Sequence, residues 1–81
     1  MTQVIIYSKQ GCPYCSRARQ LLNNNNISYK EIVLNPDDPN YYEKRNKLFV
    51  LANQKTFPII YNGTNKIGGC SDLEKKLLQK V

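Results

Sequence analysis

The sequence predicts a mixed α/β domain whose elements follow the order β-α-β-α-β-β-α. Three observations carry this. Short runs rich in β-branched and aromatic residues alternate with longer segments of helical periodicity. A proline, Pro13, stands just after the first such run, at a place where a helix can begin. Asn62-Gly63 lies between two later strand-like runs and is a strong hairpin signal.

The elements follow in order. Residues 3–8 (QVIIYS) read as a strand buried on both faces. Residues 13–22 (PYCSRARQLL) repeat Cys15, Ala18 and Leu22 at helical spacing, with Leu21 beside them. Pro13 fits a first helical position, where its missing N–H costs nothing, so Cys12 is the expected N-cap. The four asparagines 23–26 are expected to form a loop, because asparagine tolerates turn and left-handed backbone. Residues 27–34 (ISYKEIVL) form a second strand and 35–40 (NPDDPN) a turn cluster. Residues 41–54 form a second helix, with Tyr41, Leu48, Leu51 and Ala52 on its expected buried face. Residues 57–62 (FPIIYN) and 65–69 (NKIGG) are the third and fourth strands. Residues 71–81 form the last helix, with Ser71 and Glu74 at capping-box spacing and Leu73, Leu77 and Val81 as its inner stripe. A helix joins the first two strands, so they are expected to be parallel with a right-handed crossover. A tight turn joins the last two, so they are expected to be antiparallel. There is no internal repeat or linker, and residues 1–81 are expected to form one domain.

Composition narrows the function classes. A chain of 81 residues buries one modest core. Apolar content of 41% argues against disorder. The apolar runs, such as 48–52 (LFVLA), fall far short of the roughly 20 residues a membrane span needs. No basic residue precedes an apolar run at the N-terminus, so no signal peptide is expected, and a cytoplasmic location follows as an expectation. Two glycosylation-like sequons, Asn26-Ile27-Ser28 and Asn62-Gly63-Thr64, mean nothing in that compartment. The net charge of +6 attracts anionic partners: a small acid, an acidic protein tail or nucleic acid. Arg17, Arg19, Lys44, Arg45 and Lys47 sit within helical patterns, without the aromatic-interleaved basic ribbon of a nucleic-acid platform, so no nucleic-acid partner is expected.

The chemistry concentrates at 11–15 (GCPYC). Cysteines at i and i+3 share one helix face and can close a disulfide across its first turn. They are not equivalent. Cys12, at the N-cap, faces unpaired backbone N–H groups and the positive end of the helix dipole, with Lys9 three residues upstream. Both stabilise a thiolate, the reactive form. Cys15, one turn in, is expected to be the buried resolving thiol. Structural zinc is disfavoured: it wants four Cys or His ligands, the chain has no histidine, and Cys70 is only a third cysteine. A structural disulfide is disfavoured in a reducing compartment. A dithiol that opens a helix directly after a strand is the context of thioredoxin-like redox motifs.

With 7–15 (YSKQGCPYC), 56–58 (TFP) and 68–72 (GGCSD) at these spacings, the whole chain resembles a dithiol glutaredoxin. The resemblance implies a thioredoxin fold, with a four-stranded mixed sheet of order 2-1-3-4 flanked by three helices. It also implies glutathione as electron donor, no metal, and a role in electron transport and cell redox homeostasis through a reversible disulfide at the redox-active centre. Cys12 matches the nucleophile and Cys15 the resolving cysteine. Tyr14 matches the aromatic residue beside the glutathione groove. Lys9 and Arg45 match cations near the glycine-end carboxylate. Thr56, Phe57 and Pro58 match the segment with a cis-proline whose middle residue pairs with glutathione through its backbone; Phe57 departs from the commoner valine. Gly69, Cys70, Ser71 and Asp72 match the turn that holds the γ-glutamyl end. The fresh helix end at 70–72 can offer N–H donors to a carboxylate, and Asp72 can take the ammonium. Cys70 resembles an extra cysteine of some relatives; it is either a small edge residue without redox duty or a site of oxidation or glutathionylation.

The function expected is glutathione-dependent reduction of protein disulfides and glutathionylated proteins by a monomer, with ribonucleotide reductase among the candidate substrates. Two alternatives stand beside it. One is a redoxin of this fold fed by a flavin-dependent thioredoxin reductase; Lys9, Arg45 and Asp72 argue against it. The other is an iron–sulfur carrier that holds a cluster through Cys12 and glutathione in a dimer; Pro13 argues against it, since cluster-binding relatives usually carry a small residue there.

Overall fold

The computed structural model describes residues 3–78. The seven expected elements are present: β1 (Val4–Lys9), α1 (Pro13–Asn24), β2 (Tyr29–Leu34), α2 (Tyr41–Ala52), β3 (Ile59–Asn62), β4 (Asn65–Gly68) and α3 (Cys70–Leu78). The sheet order is β2-β1-β3-β4, the thioredoxin-fold order. β1 runs parallel to β2 and antiparallel to β3, and β3 is antiparallel to β4. Asn62-Gly63 makes the expected turn, with Gly63 in the left-handed region.

One face of the sheet carries the main core. Val4, Ile6 and Ile60 meet Ala18 and Leu22 of α1 and Cys70 and Leu73 of α3, all nearly sealed from solvent. Alternation puts Ile5, Tyr7, Ile59 and Tyr61 on the opposite face. There Tyr7 and Tyr61 meet edge to face at 6.2 Å. Ile5 and Tyr7 are only half-buried, so β1 is sealed on one face rather than both, as its sequence suggested. A polar clamp ties α1 to the parallel pair. The buried Ser8 hydroxyl donates to Glu31 at 2.8 Å, Arg19 pairs with the same carboxylate, and Arg19 also donates to Ser16 at 2.8 Å.

Local departures from expectation have physical causes. α1 extends through Asn23 and Asn24; the Asn25 side chain donates to the Leu21 carbonyl at 2.7 Å, and Asn26 takes the left-handed turn. β2 begins at Tyr29 and β3 only at Ile59, because pairing with β1 reaches no further than Tyr7–Ile59. α2 ends at Ala52, where Asn53 turns left-handed. Leu51 is 79% exposed. At about 100° per residue, Tyr41, Arg45, Leu48 and Ala52 make one stripe, and Leu51 falls about a quarter-turn off it.

The cap of α3 also differs from the expected Ser71–Glu74 box. Cys70 is the first helical residue, the Leu73 amide donates to the Gly69 carbonyl, and the Asp72 carboxylate accepts from the Gly69 amide at 3.0 Å. Only the reciprocal half of a capping box is therefore made, with Asp72 reaching back to the Gly69 amide. Val81 lies outside the described residues.

Gly68 makes this cap possible. Its φ is +120°, and a Cβ there would stand 2.4 Å from Asp72 Oδ2. Gly68→Ala is expected to lower stability by about 2–3 kcal/mol through backbone strain and a displaced cap. Leu51→Lys, on solvent, is expected to stay within about 0.5 kcal/mol of the parent. Denaturant unfolding of both variants checks the pair; a neutral Gly68→Ala contradicts the capping geometry.

Candidate active site

The ends of β1 and α1 bring the dithiol to the surface. After β1, Gly11 turns the chain with φ +76°, and Cys12 follows in extended backbone as the N-cap of α1, with Pro13 at its start. The Cys12 carbonyl accepts the first helical bond, from Ser16, at 3.3 Å. Cys12 is partly exposed and Cys15 is fully buried, and both are free thiols. Burial pushes the Cys15 thiol up to about 12, and the adjoining Cys12 sulfur adds to the rise. The Lys9 amide and the Arg19 charge pull the other way without overcoming it. Cys15 is therefore a thiol at neutral pH.

Across from Cys12 lies the segment before β3. The Phe57–Pro58 bond is cis, as the resemblance to glutaredoxins implied. The Cys12 thiol donates to the Phe57 carbonyl at 3.9 Å. The Phe57 ring leans on Phe49 of α2 at 5.4 Å, which gives the larger side chain a seat at this position.

Two concavities share Tyr14, Thr56 and Phe57. One, of about 350 Å³, reaches Cys12 and is bordered by Lys9, Arg45 and Lys55. The Arg45 guanidinium is held over the rings of Tyr42 (4.8 Å) and Phe49 (5.4 Å) and donates to Asn46 Oδ1 at 3.1 Å. Among the described residues no carboxylate pairs with Lys9, Arg45 or Lys55. The other, of about 440 Å³, runs past Pro58 to Gly69, Cys70, Ser71 and Asp72 at the start of α3. The expected residues thus assemble along one continuous surface, with cations at one end and a helix N-terminus with an acidic residue at the other.

A third hollow, of about 400 Å³, flanks Cys12 on the far side, between Gln10, Ser16, Arg19 and Val33. Cys70 contributes to the core as well as to the groove wall, and burial pushes its thiol upward. Sequence reasoning missed Gln54, Lys55 and Lys66, all of which line the concavities. Gln54 and Lys55 lie in a short loop that carries no periodic signal, Lys66 is a polar residue of the short strand β4, and only the position of Lys55 beside 56–58 could have drawn attention to it.

Comparison with known proteins agrees with this architecture. The glutaredoxin family model matches residues 4–67. The chain is 45% identical over 71 residues to glutaredoxin 1 of Rickettsia bellii, covering 86% of this chain and 71% of that protein. It is 40% identical over 73 residues to glutaredoxin 3 of Escherichia coli K12, covering 90% of this chain and 83% of that one. Among solved structures, a buckwheat glutaredoxin–glutathione complex superposes with a TM-score of 0.85 at 27% identity, over 95% of this chain and 69% of the buckwheat chain. Sequence, fold and an adjoining pair of thiols at a helix start agree, and the chain belongs to the glutaredoxin family of thiol–disulfide oxidoreductases.

Proposed function

We propose that the chain is a cytoplasmic, monomeric, glutathione-dependent oxidoreductase that reduces glutathione mixed disulfides and protein disulfides through Cys12 and Cys15. Ribonucleotide reductase is among the candidate protein substrates. The observation that carries the reading is the charge layout around Cys12. Glutathione bears carboxylates at both ends and an ammonium beside one of them. Lys9, Arg45 and Lys55, none of which pairs with a carboxylate among the described residues, suit the glycine-end carboxylate. The α3 N-terminus suits the γ-glutamyl carboxylate, and Asp72 the ammonium beside it. The Phe57 backbone, which lies beyond the end of the sheet ladder, suits the cysteinyl residue between them. That a buckwheat relative of the same fold is a glutathione complex supports the reading.

The chemistry then follows. Cys12 thiolate attacks the glutathione sulfur of a mixed disulfide; a Cys12–glutathione disulfide forms, and the substrate sulfur leaves and takes up a proton. A second glutathione thiolate attacks the bound glutathione sulfur, releasing glutathione disulfide and Cys12 thiolate. With a protein disulfide, attack by Cys12 leaves the substrate tethered. Cys15 then attacks Cys12, frees the substrate thiol and closes the Cys12–Cys15 disulfide, which two glutathione molecules reduce. Cys15 is a reluctant thiolate, but its position beside Cys12 supplies the high effective concentration that offsets this.

Turnover should be supported by glutathione, NADPH and glutathione reductase, and not by NADPH with thioredoxin reductase; the reverse pattern overturns the reading.

The two cysteines are expected to separate by reaction. Cys12→Ser abolishes both activities. Cys15→Ser keeps deglutathionylation of a peptide but slows reduction of a protein disulfide and accumulates the mixed disulfide. Because Cys15 is pushed to about 12, its thiolate fraction rises about tenfold per pH unit across the neutral range. The single-turnover release step should climb accordingly with pH in the parent and vanish in Cys15→Ser. Equal loss of both activities in Cys15→Ser contradicts this division.

Charge reversal tests the two ends of the groove. Arg45→Glu and Asp72→Lys are each expected to raise the KM for glutathionylated peptide about ten-fold with a smaller change in kcat, since a uniform binding contact is lost. Unchanged kinetics in both variants would move glutathione elsewhere.

A further inference from the structure

The backbone that faces Cys12 is held from behind by one side chain. Pairing between β1 and β3 ends at Ile59, so the sheet ladder does not reach Thr56, Phe57 and Pro58. Gln54 supplies what the ladder does not. Its Nε2 donates to the Thr56 carbonyl at 2.9 Å and to the Pro58 carbonyl at 2.8 Å. Two carbonyls can be met only by the NH₂ of an amide, so the orientation of this side chain is dictated by its partners. The carbonyls on either side of Phe57 are thereby turned toward Gln54. The Phe57 carbonyl between them faces the Cys12 sulfur instead.

Gln54 is itself anchored by the end of α2. Asn53 closes that helix in the left-handed region, and the Gln54 amide donates to the Phe49 carbonyl at 3.1 Å. Lys66, reaching over from β4, donates to the Ala52 carbonyl of the same helix end. The Gln54 side chain also lies beside Gly69: a methyl placed there would stand 3.8 Å from its Nε2. One amide thus ties the end of α2 to the segment before β3 and lies alongside the approach to α3, the three pieces that wall the groove.

We infer that Gln54 is a positioning residue, which holds the Phe57 backbone in the orientation that receives the peptide portion of the disulfide substrate next to Cys12. This rests on the glutathione reading proposed above. Removing its donors leaves the core intact and lets the Phe57 peptide groups rotate. A substrate that uses those groups reacts more slowly, whereas a disulfide without amide groups does not register the change.

The test compares the parent with Gln54→Met, which keeps side-chain length without a donor, and with Gln54→Glu, which keeps shape and solubility but only accepts. Each reacts in a single turnover with a glutathionylated peptide and with bis(2-hydroxyethyl) disulfide in the absence of glutathione; melting temperatures are recorded alongside. In both variants the rate constant for the glutathionylated peptide should fall about ten-fold, the equivalent of one to two net hydrogen bonds. The rate with the amide-free disulfide should change less than two-fold, with melting temperature nearly unaltered. Equal losses with both disulfides, no loss with either, or losses that follow a fall in melting temperature overturn the inference. If one variant does not fold, the other decides. A parent enzyme that shows no preference for the glutathionylated peptide over the simple disulfide refutes the glutathione reading instead, while a parent preference that persists in the variants refutes only the role of Gln54.

Discussion

The antiparallel ladder between β1 and β3 stops at Tyr7 and Ile59, and the site exists because it stops there. Beyond that pair, β1 continues along β2 alone, up to Lys9 opposite Leu34. The chain before β3 is left without a strand partner on the side of β1 and the start of α1. In the interior of a sheet its backbone groups would be consumed by their neighbours. Here the Phe57 carbonyl faces a sulfur instead. The Thr56–Pro58 segment could not keep this conformation on its own, and α2, on one side, and α3, on the other, give it fixed walls.

The same architecture makes two chemically identical thiols unequal. Three residues along α1 carry the chain from a partly exposed cap to a fully sealed core position. The apolar interior opposes charge at the second. No special side chain is needed to create the difference; strand, turn and helix start suffice. The Ser8–Glu31–Arg19 clamp ties α1 to β1 and β2.

Much of this was legible in the sequence, and the reasons are specific. β-branched runs and a helix-opening proline located the elements, and Asn62-Gly63 located the hairpin. The spacing of Cys12 and Cys15 located the redox pair, and the resemblance to glutaredoxins added Thr56-Phe57-Pro58 and Gly69-Cys70-Ser71-Asp72, the surface along which the site is assembled. What stayed hidden depended on angles between elements. Leu51 is as apolar as Leu48, and only the direction in which α2 meets the sheet leaves one half-buried and the other on solvent. Ser71 and Glu74 had capping spacing, but Gly69 and Asp72 occupy the cap, because the chain leaves β4 one residue earlier than propensity suggested. Gln54 bonds to carbonyls, and backbone carbonyls leave no mark on a sequence.

The contact between the Cys12 thiol and the Phe57 carbonyl has a consequence of its own. A thiol can donate to a carbonyl; a thiolate cannot, and the two then repel. Protonated and ionised forms of the sulfur therefore differ in more than nucleophilicity. The protonated sulfur holds one of the two lone-pair sites of the Phe57 carbonyl. Loss of that proton frees the site as the sulfur becomes able to attack, so one event arms the nucleophile and returns to the carbonyl beside it its full capacity to accept an arriving amide N–H.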